Sequence, residues 1–219
     1  MNHSPLELAR HNMIQQQIRP WVPIDDRVLE TLQSIPREDF VPAEFRRLAF
    51  ADIEIPLEAD RCMWPPRVEA RMLDALQIRP NDNILEIGTG SGYITACLAR
   101  LGGYVTSLDR QIGLSAAAGK RLSRQGIHNV SLSKGDVDHL PGGTFDVILV
   151  TSGALPQRQA KLEQALTSGG RLFAVIGQAP AMQACLITRL DADNWHCQSL
   201  FETEIAQLDE APARPDFSF

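Results

Sequence analysis

The sequence has no cluster of metal ligands. Its four cysteines, Cys62, Cys97, Cys185 and Cys197, show no C-x-x-C spacing, and the five histidines do not gather beside them. A structural zinc site needs about four clustered ligands, so no metal is expected. Scattered cysteines also fit a reducing compartment, with Cys97 and Cys185 read as small buried hydrophobes. Positive charge is in short supply: 21 Lys and Arg face 27 Asp and Glu, a net charge of −6. Phosphate binding draws on a basic face, so no nucleic acid partner is expected. No apolar run approaches the roughly 18 residues of a membrane span. The start, MNHSPLELARHN, lacks the apolar core of a signal peptide. These gaps together predict a cytoplasmic protein with no membrane contact. Internal repeats and long low-complexity tracts are missing as well.

What is present is ordinary globular composition, 44% hydrophobic and 22% charged over 219 residues. That length supports a real core. Residues 1–80 read as a helical region packed on the core. SPLELARHNMIQQQI opens with Ser4 as N-cap, Pro5 at the first helical position and Glu7 three past the cap, a capping box. DDRVLETLQSIP puts Val28, Leu29, Leu32 and Ile35 on one face. PAEFRRLAF reads as a shorter helix. RVEARMLDALQI carries Val68, Met72, Leu73 and Leu76 at helical spacing.

From residue 81 the rhythm becomes strand, helix, strand. NILEIG, YVTSLD, VSLSKGD, FDVILVTS and RLFAVIG read as strands. YITACLARLG, LSAAAGKRLSRQG and PQRQAKLEQALTSGG read as the helices between them. The alternation predicts an α/β fold, with a doubly wound, mostly parallel sheet and helices on both faces. QACLITRL and WHCQSLFETEI, joined at DADN, predict a closing hairpin with an antiparallel strand. Residues 81–219 thus read as one compact unit.

Gly88-Thr89-Gly90-Ser91-Gly92 follows a strand and opens a helix. Glycines there permit positive φ and close backbone approach to a ligand. Alone, the pattern also fits a mere tight turn. Three acids sharpen it. Glu86 sits two residues before Gly88, where a carboxylate is unwelcome beside a pyrophosphate but welcome beside an ammonium or sulfonium. Asp109 ends the second strand, placed to accept ribose hydroxyls. Asp136 ends the third, placed to accept from an adenine amino group. Three acids around one glycine loop suit a cationic nucleoside, S-adenosylmethionine, better than NAD. The bland alternative makes each acid a turn residue or cap.

NILEIGTGSGY with VTSLDR, KGD, FDVILVT and LTSGGRLFAVIG resembles a class I S-adenosylmethionine-dependent methyltransferase. The N-terminal stretch MIQQQIRP…DDRVLETLQSIPREDFVPAEFRRLAFADIEIPL narrows the resemblance to the protein-L-isoaspartate O-methyltransferases, over roughly residues 10 to 180. The resemblance implies a Rossmann-like methyltransferase fold with a seven-stranded sheet and an N-terminal helical extension. It implies cofactor roles for Glu86, Gly88, Thr89, Gly90, Ser91, Gly92, Asp109, Arg110, Asp136 and Val137. S-Adenosyl-L-homocysteine would be the product. Val150 to Pro156, including Thr151 and Ser152, matches the segment lining the transfer site. The family is cytoplasmic and methylates isoaspartyl residues in damaged proteins.

One stretch departs from the family. Related chains carry a Gly-rich turn and then Thr-Ile-Ser-Gln-Pro. Here Glu58-Ala59-Asp60 precedes Arg61, Cys62, Met63, Trp64, Pro65 and Pro66. The threonine falls on Cys62 and the serine on Trp64; only Pro66 is kept. Hydroxyls that would orient a carboxylate are absent. Cys62, Met63, Trp64, Pro66, Thr151 and Ser152 are the substrate-loop candidates, with no catalytic residue assigned. Trp64 either donates its indole N–H, stacks on a new acceptor, or plugs the gap under the helices. Glu58 and Asp60 add negative charge near the acceptor. Three readings stay open: an isoaspartyl methyltransferase with altered pocket chemistry, a methyltransferase with another acceptor, and a cofactor-binding protein with little transfer activity. The oligomeric state is open too.

Overall fold

The structure, a computed structural model, describes residues 4–58 and 61–208. Ala59, Asp60 with the charge expected there, and the Pro-rich tail from residue 209 lie outside the described residues. Helix α1 (Pro5–Met13) starts as the capping box dictates: Glu7 N–H donates to Ser4 Oγ at 3.2 Å, and Ser4 N–H to Glu7 Oε2 at 2.8 Å. The chain then winds wider, as a π-helical turn over Ile14–Ile18, where one continuous helix was expected. Helix α2 (Asp26–Ser34) is capped by Asp25 and buries Val28, Leu29 and Leu32; Ile35, already extended, joins them. The stretch expected as a short helix at 43–48 is 3₁₀ instead.

Strands β1 (Ile55–Pro56) and β2 (Cys62–Met63) pair antiparallel into a small hairpin that sequence periodicity did not announce. Helix α3 (Pro66–Ala75) follows at once. Pro65 is its N-cap and Pro66 its first residue. The proline pair therefore starts a helix, where a missing N–H costs nothing and φ is preset.

The rest alternates: β3 (Asn83–Ile87), α4 (Tyr93–Leu101), β4 (Tyr104–Asp109), α5 (Ile112–Arg124), β5 (Val130–Lys134), β6 (Phe145–Val150), α6 (Ala160–Gln164), β7 (Leu166–Gln178), β8 (Ala181–Arg189) and β9 (Trp195–Glu202). The expected helix over PQRQAKLEQALTSGG is shorter than its pattern. Only α6 is helical, and Leu166 already pairs with Phe145. Sheet pairing on β6 overrides helical propensity there. The seven strands lie in the order β5-β4-β3-β6-β7-β8-β9. β5 through β7 run parallel; β8 is antiparallel to both its neighbours. β3 is thus the switch strand, with later strands leaving it first on one side and then on the other.

Two apolar layers sandwich the sheet. One joins Ile84, Leu98, Val147 and Phe173 to Met13, Ile18, Leu32, Trp64 and Met72. The other gathers Leu85, Ile87, Leu108, Ile148, Val150, Leu162 and Leu172. The period of two in β3 sends Ile84 one way and Leu85 the other. Because the first layer includes the N-terminal helices, folding the sheet also positions the β1–β2 hairpin above it.

Candidate active site

Ligands in open α/β sheets bind beyond the carboxyl ends of strands at the switch point. Here that point is the gap between the loops after β3 and β6. The loops are stitched together: Thr151 Oγ1 donates to Gly88 O at 2.7 Å, and Ser152 N–H to Ile87 O at 3.1 Å. Gly88 has φ +114°, open to glycine alone, and a Cβ there would lie 2.5 Å from Ser152 N. Gly90 has φ +50°. Gly92 plays a different part from its neighbours. It caps α4, and a Cβ there would meet Ala118 Cβ at 2.9 Å, so it lets α4 pack on α5 and is not on the cleft wall.

A cleft with about 680 Å³ of open space lies above the loops. Its lining brings together Gly88, Thr89, Gly90, Ser91 and Asp109, Cys62, Met63 and Trp64 beside them, and Thr151 and Ser152 from the loop after β6. A smaller chamber adjoins it, lined by Arg110, Asp136, Val137 and Leu108. Arg61, Gly88, Asp109 and Ser152 border both spaces. Asp109 braces the loop: Oδ2 accepts from Gly90 N–H at 2.9 Å and Oδ1 from Gln111 N–H at 2.8 Å. Asp136 accepts from the N–H groups of Asp138 and His139 at 2.9 and 3.0 Å, and from Arg110 Nε at 3.3 Å. Burial would raise its carboxyl, but bonds from the His139 ring and these N–H groups outweigh burial and lower it.

Glu86 is not on the wall. The pleat turns it toward α4, where it is fully buried and accepts from Thr95 Oγ1 at 2.5 Å and Ser107 Oγ at 2.6 Å. Its Oε1 has no partner among the described residues. Burial pushes this carboxyl up to about 8; the two hydroxyls oppose that only partly. The folded protein therefore holds a proton that the unfolded chain, at 4.5, has lost. Stability from this group is complete below the unfolded value and is lost as pH rises through the folded one. Glu86→Gln is expected to flatten the fall in unfolding free energy between pH 4.5 and about 8, removing up to about 1.4 kcal/mol per pH unit. Denaturant melts across that range read it; an unchanged slope contradicts it.

Trp64 is 4% exposed and belongs to both the core and the cleft wall. Its carbonyl accepts from Arg37 Nη2 at 2.8 Å. Its indole Nε1 has no hydrogen bond among the described residues. Burial, then Glu54, pushes the Cys62 thiol up to about 12, so it stays a neutral, weak donor. Pro66 is not among the residues lining the cleft; it is the first residue of α3.

Sequence reasoning did not single out Leu57, Glu69, Tyr93, Ile94 or Ala206 as wall residues, and met Arg61 only as part of the stretch that departs from the family. Glu69 carried a usable signal, since it lies three and four residues before the buried Met72 and Leu73. It ion-pairs with Arg37, which is itself wholly buried, donates to Ala49 O at 2.9 Å and lies 4.8 Å from the Tyr93 ring centre. No group of three or more metal-ligating side chains occurs among the described residues.

A glycine loop, two acids and a two-chambered cleft at the switch point of this seven-stranded sheet define the Rossmann-like methyltransferase class. The chain belongs to the protein-L-isoaspartate(D-aspartate) O-methyltransferase family, whose sequence profile matches residues 8–205. It is 34% identical over 202 residues to protein-L-isoaspartate O-methyltransferase 1 of Rhodopseudomonas palustris (strain HaA2), covering 91% of this chain and 82% of that one. With the Koribacter versatilis relative it shares 38% over 190 residues, 84% of this chain and 83% of the other. A Plasmodium falciparum family structure, in complex with S-adenosyl-L-homocysteine, superposes with a TM-score of 0.78 at 19% identity, covering 94% and 99% of the two chains.

Proposed function

We propose that this chain is an S-adenosylmethionine-dependent carboxyl O-methyltransferase acting on isoaspartyl residues of proteins and peptides. The observation that carries the reading is the two-chambered cleft at the switch strand of a chain from this family. The cleft suits the cofactor. Ser152 Oγ is buried without a partner among the described residues at the junction of the chambers, and apolar Leu108 and Val137 flank the smaller one. The backbone of Gly88 to Ser91 would hold the cofactor's aminoacyl end, Asp109 its ribose, and Arg110, Asp136 and Val137 its adenine. Glu86 supports this arrangement from beneath. On this reading residues 81–219 hold the cofactor, and residues 1–80 pack on them and supply the acceptor side. The same reading places the protein in the cytoplasm, in keeping with four free cysteines. Among the described residues no helix is long and apolar enough to cross a membrane.

When bound, S-adenosylmethionine supplies a methyl group on sulfur: the O–CH₃ bond forms as S–CH₃ breaks, the electron pair goes to sulfur, and a methyl ester and S-adenosyl-L-homocysteine remain. The acceptor carboxylate has a pKa of about 4 and is ionised at neutral pH, so the chain supplies no base. Its work is alignment and exclusion of water. Met63, Trp64, Leu57 and Ile94 supply the apolar lining for that. Asp109→Ala is expected to weaken cofactor binding about tenfold or more, since a charge-assisted bond to the ligand and the brace on Gly90 are both lost. Calorimetry reads it, and unchanged affinity refutes the ribose role.

Methyl transfer to an isoaspartyl peptide, with the aspartyl peptide as control, tests the acceptor. Trp64 and Glu69 on the wall favour a second reading, a methyltransferase for an uncharged acceptor. Cofactor binding with transfer to other molecules but not to the peptide would select it. Binding with no transfer to any acceptor would leave a cofactor-binding protein.

A further inference from the structure

We propose that Arg61 and Ser152 form a clasp that holds the acceptor carboxylate. The inference rests on the carboxyl acceptor proposed above. Both residues border both chambers, so they stand where the cofactor side meets the acceptor side. Arg61 Nη1 donates to Ser152 O at 2.7 Å, which fixes the guanidinium against the loop after β6. Ser152 Oγ is buried and has no partner among the described residues. A buried hydroxyl left unpaired is costly, and a ligand oxygen at the junction satisfies it.

The other wall groups are less suited. Thr151 Oγ1 is already given to Gly88 O at 2.7 Å. The Cys62 thiol is a poor donor. Tyr93 Oη also lacks a partner among the described residues, but Tyr93 borders only the larger chamber. A guanidinium is planar and always charged, and its fork of donors matches a carboxylate's two oxygens. Two residues from different elements, one on the β1–β2 hairpin and one after β6, then act as a single anion holder. Bridging the two elements orients the carboxylate toward the cofactor, and alignment is what this reaction needs.

Two measurements test the clasp. In methyl transfer to an isoaspartyl peptide, Arg61→Ala and Ser152→Ala are each expected to lower kcat/KM by roughly tenfold to a hundredfold. Arg61→Lys, which keeps charge but not the fork, should recover part of the loss. Ser152→Ala removes no hydroxyl bond seen among the described residues, so its melting temperature should hold while transfer falls; a merely structural role would not separate the two. Independently of the peptide, acetate is titrated into the protein loaded with S-adenosyl-L-homocysteine, read at the Arg61 Nε–H resonance by NMR. A saturable shift, weakened in Ser152→Ala, is expected. No shift, or wild-type transfer by Arg61→Ala, overturns the clasp. A shift without methylation of the peptide overturns the isoaspartyl acceptor and leaves the clasp standing.

Discussion

Gly88→Ala is expected to weaken S-adenosylmethionine binding by about a hundredfold or more and to lower the melting temperature. The added Cβ would lie 2.5 Å from Ser152 N, 2.8 Å from Ser152 Cα and 2.8 Å from Thr151 Oγ1. Two of those atoms are backbone and cannot swing aside. The φ of +114° adds strain for any side chain, of order 1–3 kcal/mol. Relief requires the loops after β3 and β6 to part, and that breaks the Thr151 and Ser152 bonds that shape the junction. Gly90→Ala is the informative control. Its Cβ would meet only Leu57 Cδ1, at 3.5 Å, an ordinary contact. Its φ of +50° still strains an alanine by about 1–2 kcal/mol, so the melting temperature should fall modestly and by less than in Gly88→Ala, and affinity lost by the folded variant reports a ligand lying close to the backbone. Calorimetry and thermal melts read both variants; wild-type affinity in Gly88→Ala would disprove the argument.

Glu69→Ala is expected to cost about 3–5 kcal/mol of unfolding free energy, the usual result of stranding one charge of a buried pair. Arg37 is 0% exposed and Glu69 2%. Burial pushes the Glu69 carboxyl to about 7 even with Arg37 pulling it down. Arg37 keeps its bonds to Ala49 O and Trp64 O, but no counter-charge replaces Glu69. Trp64 hangs from this arginine, so the acceptor wall should loosen with it. The paired change Arg37→Met with Glu69→Leu should cost much less, because an apolar pair of similar volume carries no desolvation penalty. Urea denaturation distinguishes the variants. A loss below about 1 kcal/mol for Glu69→Ala would show that the arginine is satisfied without its partner.

These two sites mark where the sequence was legible and where it was not. The glycine loop was readable because Gly88 and Gly90 mark a turn that only a strand followed by a helix needs. Asp109, at the end of its strand, was readable for the same reason: chain position alone places it beside that turn. Glu86 looked similar in sequence but differs in direction, since the pleat of β3 turns it under the loop, onto Thr95 and Ser107. Gly92, in the same loop, caps α4, where a Cβ would meet Ala118 Cβ at 2.9 Å, a contact that chain position alone does not report. The helix expected before β7 was cut short because ALTSGG found a partner in β6, a contact that no local pattern reports.

By itself the sequence determined the fold class, the strand–loop–helix setting of Gly88 to Gly92 and the position of Asp109 at the end of its strand. All three follow from local rules, in which periodicity, caps and turn glycines act over a few residues. The acceptor side was decided only by tertiary structure. Arg61 and Ser152 are 91 positions apart, and Arg37 and Glu69 are 32 apart. Whether such groups meet depends on the shared core that seats the β1–β2 hairpin over the sheet. The Arg-Cys-Met-Trp-Pro-Pro stretch read as a rigid corner; in the fold its prolines start α3, its tryptophan walls the cleft, and its arginine reaches across to Ser152.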